Sequence, residues 1–275
     1  MPSSPAASSS QVFRDNLFAG KYAFLTGGTS GIGLTIAQRF AALGAHVILL
    51  SRKQEKVDAA LAAIHAAGGK AAGFAADVRN YADLESAFAR TRAEVTGGAE
   101  IDFLFCIAAG NFPAPAVGMS ANAFKSVIDI DVLGTFNTCR AGYAHLRKPG
   151  AVVISISANH AHTAYPLQSH VCAAKAGVEL LSKTLALEWG PAGIRVNCIT
   201  PGPTDGTEGM ARLAPTEAAR RAVTAAVPLR RMGTREEIAD VATFLCSDAA
   251  AYVTGSIYNC DGGTGLIGPR MLDLE

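Results

Sequence analysis

The chain has 275 residues, of which 49% are hydrophobic and 17% charged, and its formal net charge is +1 at pH 7. This composition suits a packed core and excludes a disordered protein. Because the charge is nearly balanced and no long basic run occurs, we expect no nucleic-acid partner. The apolar stretches have the length of strands and fall short of the ~20 residues of a membrane helix, so we expect no membrane insertion.

Strand-like and helix-like segments alternate along the chain. The predicted strands are residues 22–26, 45–50, 71–76, 101–107, 151–156, 194–199 and 256–259. The predicted helices are residues 32–43, 57–67, 81–95, 121–146, 173–189, 216–227 and 236–246. Alternation at this spacing predicts a parallel sheet covered on both faces, and right-handed crossovers make it doubly wound. We therefore predict an α/β fold with a seven-stranded Rossmann-type sheet.

The domain organisation is simple. Residues 1–16 begin with a tail rich in Ser, Pro and Ala, which we expect to be disordered, and residues 17–275 contain no linker or break in composition. We predict one domain over residues 17–275. The tail has no charged start and no apolar block, so it does not resemble a secretory signal.

The cysteines and the C-terminal residues bear on the cellular compartment of the protein. Six cysteines are scattered singly without the spacing of metal ligands, which predicts reduced thiols and no metal site. The last residues, 272–275, do not match the Ser-Lys-Leu type of peroxisomal address. We expect a cytoplasmic protein.

A glycine cluster follows the first predicted strand and precedes the first predicted helix. Glycine there permits a tight turn and lets backbone N–H groups approach a pyrophosphate at the helix N-terminus. By itself a glycine cluster is a weak signal, since glycine also marks ordinary turns. We predict cofactor contacts from Gly27, Thr29, Ser30, Gly31, Ile32 and Gly33.

The Gly-x3-Gly-x-Gly spacing of this cluster resembles the short-chain dehydrogenase/reductase family, and other motifs follow in that family's order over roughly residues 17–265. They are Asp77-Val78, Ala108-Ala109-Gly110, Pro201-Gly202 and Asp261-Gly262-Gly263. The resemblance implies an oxidoreductase with a dinucleotide cofactor. It also implies cofactor contacts from Asp77, Val78, Ala108, Ala109, Gly110, Lys175, Pro201, Gly202 and Thr204.

The end of the second predicted strand bears on the choice of cofactor. An enzyme that uses NAD usually presents a carboxylate there to bind the ribose 2′-hydroxyl. This chain has Ser51, Arg52 and Lys53 instead. A guanidinium can bind a 2′-phosphate through two hydrogen bonds. We therefore predict NADPH, with Ser51 and Arg52 as contacts, although two cations at this place could also simply begin a solvated helix.

The usual catalytic residues of the family are an Asn, a Ser, a Tyr and a Lys, and this chain keeps only the last. Counting from Lys175, the Tyr position is Val171 and the Ser position is Ala158, while the Asn position is Asp131. Valine cannot donate the proton that a Tyr phenol gives to an alkoxide. Either the chain has lost its chemistry or its reaction needs no proton at a carbonyl oxygen.

The same substitutions resemble the peroxisomal-type 2,4-dienoyl-CoA reductases, as do the AAGNF segment at 108–112 and GTEG at 206–209. The resemblance implies that NADPH reduces a 2,4-dienoyl-CoA to a 3-enoyl-CoA in unsaturated fatty acid degradation, with hydride at C5 and a proton at the α-carbon. In that reaction the thioester oxygen needs hydrogen bonds rather than full protonation. We predict that Asp131 and Lys175 orient a water. The predicted substrate contacts are Asn111, Phe112, Gly206 and Met210.

Other interpretations stay open on the sequence alone. His170 could relay a proton, so it joins Asp131 and Lys175 among the candidate catalytic residues. The chain could instead be a carbonyl or 3-ketoacyl reductase with His170 or Tyr165 as a substitute acid, or a catalytically silent NADPH-binding protein. The long predicted helices 121–146 and 173–189 resemble those that pair between subunits in the family. We therefore expect a homo-oligomer, a tetramer or a dimer, that binds an acyl-CoA thioester.

Overall fold

The structure is a computed structural model, and it describes residues 12–266. Its strands are β1 (Tyr22–Thr26), β2 (His46–Ser51), β3 (Lys70–Ala75), β4 (Phe103–Cys106), β5 (Val152–Ile156), β6 (Arg195–Pro201) and β7 (Ile257–Cys260). Its α-helices are α1 (Gly31–Ala42), α2 (Gln54–Ala66), α3 (Tyr81–Arg90), α4 (Ala121–Ile128), α5 (Gly134–Gly142), α6 (Ser169–Trp189), α7 (Glu208–Leu213), α8 (Glu217–Ala226) and α9 (Arg235–Cys246). The first eleven residues of the predicted tail and the C-terminal residues 272–275 lie outside the described residues.

All seven strands form one parallel sheet in the order β3-β2-β1-β4-β5-β6-β7. The predicted doubly wound seven-stranded sheet is therefore confirmed. The strand order reverses at β1, which pairs with β2 on one side and with β4 on the other. In sheets of this kind a ligand binds beyond the carboxyl ends of the strands at that switch point.

Both faces of the sheet are covered, which explains why the strands read as continuous apolar runs. Phe24 and Leu25 are neighbours on β1 and point to opposite faces. Leu25 packs in a cluster with residues of α1 and α9, whereas Phe24 packs in a cluster with residues of α3, α5 and α6. Phe13, within the predicted tail, packs against the first cluster. The two layers of helices hold the sheet and the loops at its carboxyl edge.

The predicted helix over residues 121–146 is interrupted in the structure. Between α4 and α5, residues Asp129–Leu133 form a π-helical turn, and Tyr143–His145 form a 3₁₀ turn. A π-turn adds a residue to the helical repeat and is often found at functional sites. Its effect here is to direct Asp131 inward. The helix predicted from residue 173 begins at Ser169, so His170 and Val171 are helical too.

No helix within residues 12–266 combines the length and the apolarity needed to cross a bilayer. No group of three or more His, Cys, Asp and Glu side chains in that range has the arrangement of a metal site. All six cysteines are free.

Candidate active site

A cavity of about 660 Å³ lies at the carboxyl edge of the sheet, where the strand order reverses. It runs from the glycine loop after β1 to the segment around α7. Most of the residues predicted from the sequence to bind the cofactor line it: Gly27, Thr29, Ser30, Ile32, Gly33, Ser51, Arg52, Asp77, Val78, Ala108, Ala109, Gly110, Lys175, Pro201, Gly202 and Thr204. Gly31 does not line it. Among the residues predicted for the substrate or for catalysis, Asn111 and Met210 line the half of the cavity near α7. The others, Phe112, Gly206, His170 and Asp131, do not line the cavity.

The glycine loop has the geometry of a pyrophosphate cradle. Gly27 has a φ of +72°, and a Cβ there would lie 2.7 Å from the backbone N of Ala108. A Cβ on Gly33 would lie 2.2 Å from the Gly27 carbonyl oxygen. Ser30 caps α1 without a side-chain hydrogen bond, so the N–H groups of the first turn stay available to an anion. These residues fit the diphosphate of a dinucleotide.

Two cationic side chains, Arg52 and Lys56, line the cavity near the end of β2, where a ribose of such a dinucleotide would lie. Arg52 lines the cavity and forms no ion pair within residues 12–266. Lys53, the other cation noted in the sequence, instead pairs with Glu55 at 3.6 Å. Lys56, in the first turn of α2, also lines the cavity, and the sequence did not indicate it because it lies beyond the end of the strand. Arg52 and Lys56 thus leave this end of the cavity positively charged.

The loop after β3 is braced by α5. The Asn137 side chain donates a hydrogen bond to the Val78 carbonyl oxygen at 3.0 Å, and a Cβ on Gly134 would come within 2.6 Å of the Val78 side chain. Asp77 accepts hydrogen bonds from Arg79, and these hold the pKa of the Asp77 carboxyl below its usual value. Asp77 and Val78 are therefore fixed at the cavity wall.

Asp131 and Lys175 form a buried ion pair, with Lys175 Nζ 3.0 Å from Asp131 Oδ2. Asp131 Oδ1 accepts a hydrogen bond of 2.7 Å from the backbone N–H of Gly110, and Lys175 Nζ donates one of 3.1 Å to the Ile156 carbonyl. An ammonium has three N–H donors, and Lys175 lines the cavity, so it can also donate to a group bound there. Asp131 lies behind Lys175 and ties it to the loop after β4.

The hydroxyl beside the vacant Ser position is engaged elsewhere. Ser157 Oγ donates to Oε1 of the buried Glu179 at 2.7 Å, and Thr200 donates to the same oxygen at 3.2 Å. The other Glu179 oxygen lies 2.6 Å from Nε2 of His162. Glu179 was missed by the sequence reading, although its spacing from Lys175 places both on one face of α6. Because Ser157 faces Glu179, it does not replace the missing serine.

His170 is fully buried and does not line the cavity. Its ring centroid lies 4.3 Å from that of Phe112, and neither ring nitrogen has a hydrogen-bond partner among the described residues. Phe112 in turn packs with Val171 in a small apolar cluster. The structure therefore brings His170 and Phe112 together behind the site, and a role for His170 in proton transfer stays a prediction.

A stacked pair of rings lines the cavity near Lys175. His160 and Tyr165 have ring centroids 4.1 Å apart and an interplanar angle of 22°. Burial, and next the charge of Lys175, lower the pKa of His160 to about 4. Burial, followed by the charges of Asp261 and Cys172, raises the pKa of Tyr165. At neutral pH the imidazole is therefore uncharged and the phenol keeps its proton.

The segment around α7 covers the second half of the cavity. Met210 is buried and lines it, and Arg212 Nη1 donates a 3.0 Å hydrogen bond to the Asn111 carbonyl. This contact links α7 to the loop after β4 across the cavity. Gly206, with a φ of +69°, lies outside the cavity and beside Arg235. Its position allows the sharp turn into α7 rather than contact with a ligand.

Together these features define a class of protein. A glycine cradle at the switch point, cations at the ribose end, and a buried lysine paired with a carboxylate beside an apolar half-cavity describe a dinucleotide-dependent oxidoreductase of the doubly wound α/β type.

Comparison with known proteins gives the family. Residues 27–265 match the family described as Enoyl-(Acyl carrier protein) reductase. The chain is 42% identical over 255 residues to the peroxisomal 2,4-dienoyl-CoA reductase SPS19 of Saccharomyces cerevisiae, covering 91% of this chain and 86% of that protein. It is 41% identical over 261 residues to the peroxisomal 2,4-dienoyl-CoA reductase of Pongo abelii, covering 94% of this chain and 88% of that protein.

A solved structure is also similar. It is a gluconate 5-dehydrogenase from Burkholderia cenocepacia in complex with NADP and tartrate, with a TM-score of 0.86 and 28% identity, covering 92% of this chain and 99% of the other. The chain belongs to the short-chain dehydrogenase/reductase family and is an oxidoreductase. Within that family it resembles the 2,4-dienoyl-CoA reductases, as its active-site substitutions predicted.

Proposed function

We propose that this protein reduces 2,4-dienoyl-CoA thioesters to 3-enoyl-CoA with NADPH, in the degradation of unsaturated fatty acids. One observation carries the proposal: Lys175 is kept and is paired with Asp131 at 3.0 Å, while the place of the phenol is filled by Val171. A site that keeps its ammonium but has no acid at that place suits a reaction whose proton goes to carbon. The similarity to two proteins named as dienoyl-CoA reductases supports it.

The cofactor follows from charge at the cavity wall. NADPH, when bound, supplies a hydride. Gly27, Gly33 and the first turn of α1 would hold the diphosphate, and Arg52 with Lys56 would hold the 2′-phosphate, which carries the charge that an NADH ribose lacks. The solved relative that contains NADP supports this choice.

The residues of the substrate half of the cavity would stabilise the negative charge of the intermediate and deliver the proton. Addition of hydride at C5 shifts electrons through two double bonds to the thioester oxygen, where hydrogen-bond donors stabilise them. Asn111 lines the cavity, and its side chain forms no hydrogen bond within residues 12–266. Lys175, held by Asp131, orients a water that gives its proton to the α-carbon. The thioester carbonyl re-forms, and the product is the 3-enoyl thioester.

The walls of the same half suit an acyl chain. Met210, Leu213, Val223 and Val227 contribute apolar surface between α7 and α8. Arg212 on α7 pairs with Glu208, and Arg220 on α8 pairs with Asp205. The apolar walls suit the acyl chain of a thioester. A cytoplasmic location stays a prediction from the sequence.

We also propose that the protein acts as a homo-oligomer. Helix α6 presents a stripe of exposed apolar residues in which Leu180 is 67% and Leu187 81% exposed, and Leu133 and Phe136 are exposed nearby in the α4–α5 region. The stripe repeats at helical spacing along a 21-residue helix. Such a face is best covered by a second copy of itself about a twofold axis. A dimer or a tetramer would bury it.

One assay tests the function. NADPH oxidation is followed with 2,4-hexadienoyl-CoA, with acetoacetyl-CoA and with no acceptor, and the product of the first is identified by mass spectrometry and NMR. We expect turnover with the dienoyl thioester alone and a 3-enoyl product carrying one solvent deuterium at the α-carbon in D₂O. Turnover with the ketone alone would instead identify a carbonyl reductase. NADPH binding without turnover of either substrate would identify a silent binding protein.

A further inference from the structure

The loop between β5 and α6, residues 157–168, forms part of the cavity wall. The residues of this loop that line the cavity are Ser157, Ala158, Asn159, His160 and Tyr165. The position of the loop therefore sets the shape of the space into which an acyl thioester would fit. One of the contacts that anchor this loop joins two titratable side chains.

The two ends of the loop are fixed by hydrogen bonds. Near its start, the Asn159 side chain donates one of 3.1 Å to Oδ2 of Asp261. Near its end, the Leu167 carbonyl accepts one of 2.9 Å from a backbone N–H of the loop after β4. The middle of the loop is held to α6 by a different contact. There Nε2 of His162 lies 2.6 Å from Oε2 of Glu179, and the contact is an ion pair only when the imidazole is protonated.

Glu179 is a buried carboxylate, and its side chain is only 3% exposed. Ser157 and Thr200 donate hydrogen bonds to its Oε1, but two neutral hydroxyls do not cancel a full negative charge. Lys175 lies one turn earlier on α6 and is already committed to the ion pair described above. A protonated His162 therefore compensates the charge at Oε2, and a neutral His162 leaves most of that charge uncompensated.

The other titratable groups around this contact keep their protonation state near neutral pH. Burial, and next the charge of Glu179, raise the pKa of the Cys198 thiol on β6 to about 12. Burial lowers the pKa of His160 to about 4 and raises the pKa of the Tyr165 phenol. The Cys172 thiol of α6 donates to a carbonyl of the loop at 3.9 Å. An imidazole that faces a carboxylate is the group expected to change charge in this pH range.

We propose that His162 is a positioning residue: its protonated ring pairs with Glu179 and holds residues 157–168 against α6, so that the affinity for the acyl thioester depends on pH. The inference rests on the proposed reduction of a dienoyl thioester. His162 does not line the cavity, so it acts through the loop and not by contact with the substrate. Its side chain is 56% exposed, so solvent can protonate it directly. Loss of that proton weakens the central anchor, and the loop then spends less time at the cavity wall.

The test compares the KM for 2,4-hexadienoyl-CoA in the wild type, His162→Gln and His162→Lys at about pH 6 and about pH 8.5. Comparison at equal pH removes the ionisation of the substrate's own phosphates. We expect His162→Gln to have a KM about fivefold above the wild type at the lower pH and equal to it at the higher pH. His162→Lys keeps its charge, so at the higher pH its KM should lie about fivefold below the wild type. The kcat should stay within about twofold throughout, because the contact affects binding alone. His65→Gln removes an exposed imidazole on α2 and should match the wild type.

Hydrogen exchange follows the loop itself, without substrate. Peptides from residues 157–168 should exchange faster in His162→Gln than in the wild type at about pH 6, and equally fast at about pH 8.5. Equal KM and equal loop exchange in the wild type and His162→Gln at both pH values would overturn the role of His162 and leave the proposed function intact. A wild type that does not reduce the dienoyl thioester would overturn the proposed function, and the exchange measurement would then decide alone whether His162 holds the loop.

Discussion

Replacement of Asp131 by Asn isolates the charge of the buried pair. The amide can still accept the 2.7 Å hydrogen bond from Gly110, so the loop after β4 keeps its anchor, but Lys175 loses its counterion at 3.0 Å. Removing one partner of a buried pair typically costs 3–5 kcal/mol. Since the Gly110 bond survives, we expect the free energy of unfolding to fall by about 3 kcal/mol. Asp131→Ala should lower the free energy of unfolding by about 1–2 kcal/mol more, because it also leaves the Gly110 N–H without a hydrogen-bond acceptor.

Activity should fall more sharply than substrate affinity. Lys175 without its partner is no longer held in place, so the water that it orients loses order. We expect kcat with 2,4-hexadienoyl-CoA to fall about 10²- to 10³-fold, equivalent to about 3–4 kcal/mol of barrier. The KM for the substrate should change less than threefold.

Steady-state kinetics and urea unfolding measure these two effects. Asp129→Asn is the matched control, since Asp129 lies in the same π-helical turn but pairs with Lys125 at the surface. We expect it to behave as the wild type in both measurements. If Asp131→Asn kept kcat within threefold while binding NADPH normally, the Asp131–Lys175 pair would have no part in proton delivery.

Three further predictions concern cofactor choice, pH and assembly. Arg52→Ala should raise the KM for NADPH about 10- to 100-fold and barely affect NADH, with Lys53→Ala as control; equal effects on both cofactors would argue against 2′-phosphate binding. The pKa of His160, lowered from 6.5 to about 4, makes the folded state favour the neutral ring. The contribution of this ring to the free energy of unfolding should therefore be fully present above pH 6.5 and be lost as the pH falls toward 4. The loss should be about 1–2 kcal/mol, because part of the ring is exposed. Urea unfolding of His160→Phe should lack this component, and an unchanged pH dependence would contradict the assignment. Leu180→Glu with Leu187→Glu should shift sedimentation toward monomer, and an intact oligomer would place the interface elsewhere.

The sequence alone determined the fold and the assignment as an oxidoreductase. Alternating apolar runs and helical patterns require a parallel sheet covered on both faces, and the spacing of Gly27, Gly31 and Gly33 marks one edge of it for a diphosphate. The pattern of retained and replaced catalytic residues around Lys175 can also be recognised without a structure. These patterns are local or follow the order of the chain, so the amino-acid sequence shows them directly.

Other features depend on residues far apart in the chain. Asp131 contacts Gly110 and Lys175 because a π-helical turn directs its carboxylate inward. No pattern of residues in the sequence predicts that turn. The sequence predicted Phe112 as a substrate contact, whereas in the structure its ring packs against His170 and does not line the cavity.

Only the tertiary structure decided which hydroxyls are free. Ser157 lies beside the vacant Ser position but is committed to Glu179. Tyr165, a possible substitute acid on the sequence alone, lines the cavity, and its hydroxyl has no hydrogen-bond partner within residues 12–266. The physical reason is that a side chain's chemical availability depends on what its other contacts already satisfy. Those contacts are made in three dimensions, between segments that the sequence shows only separately.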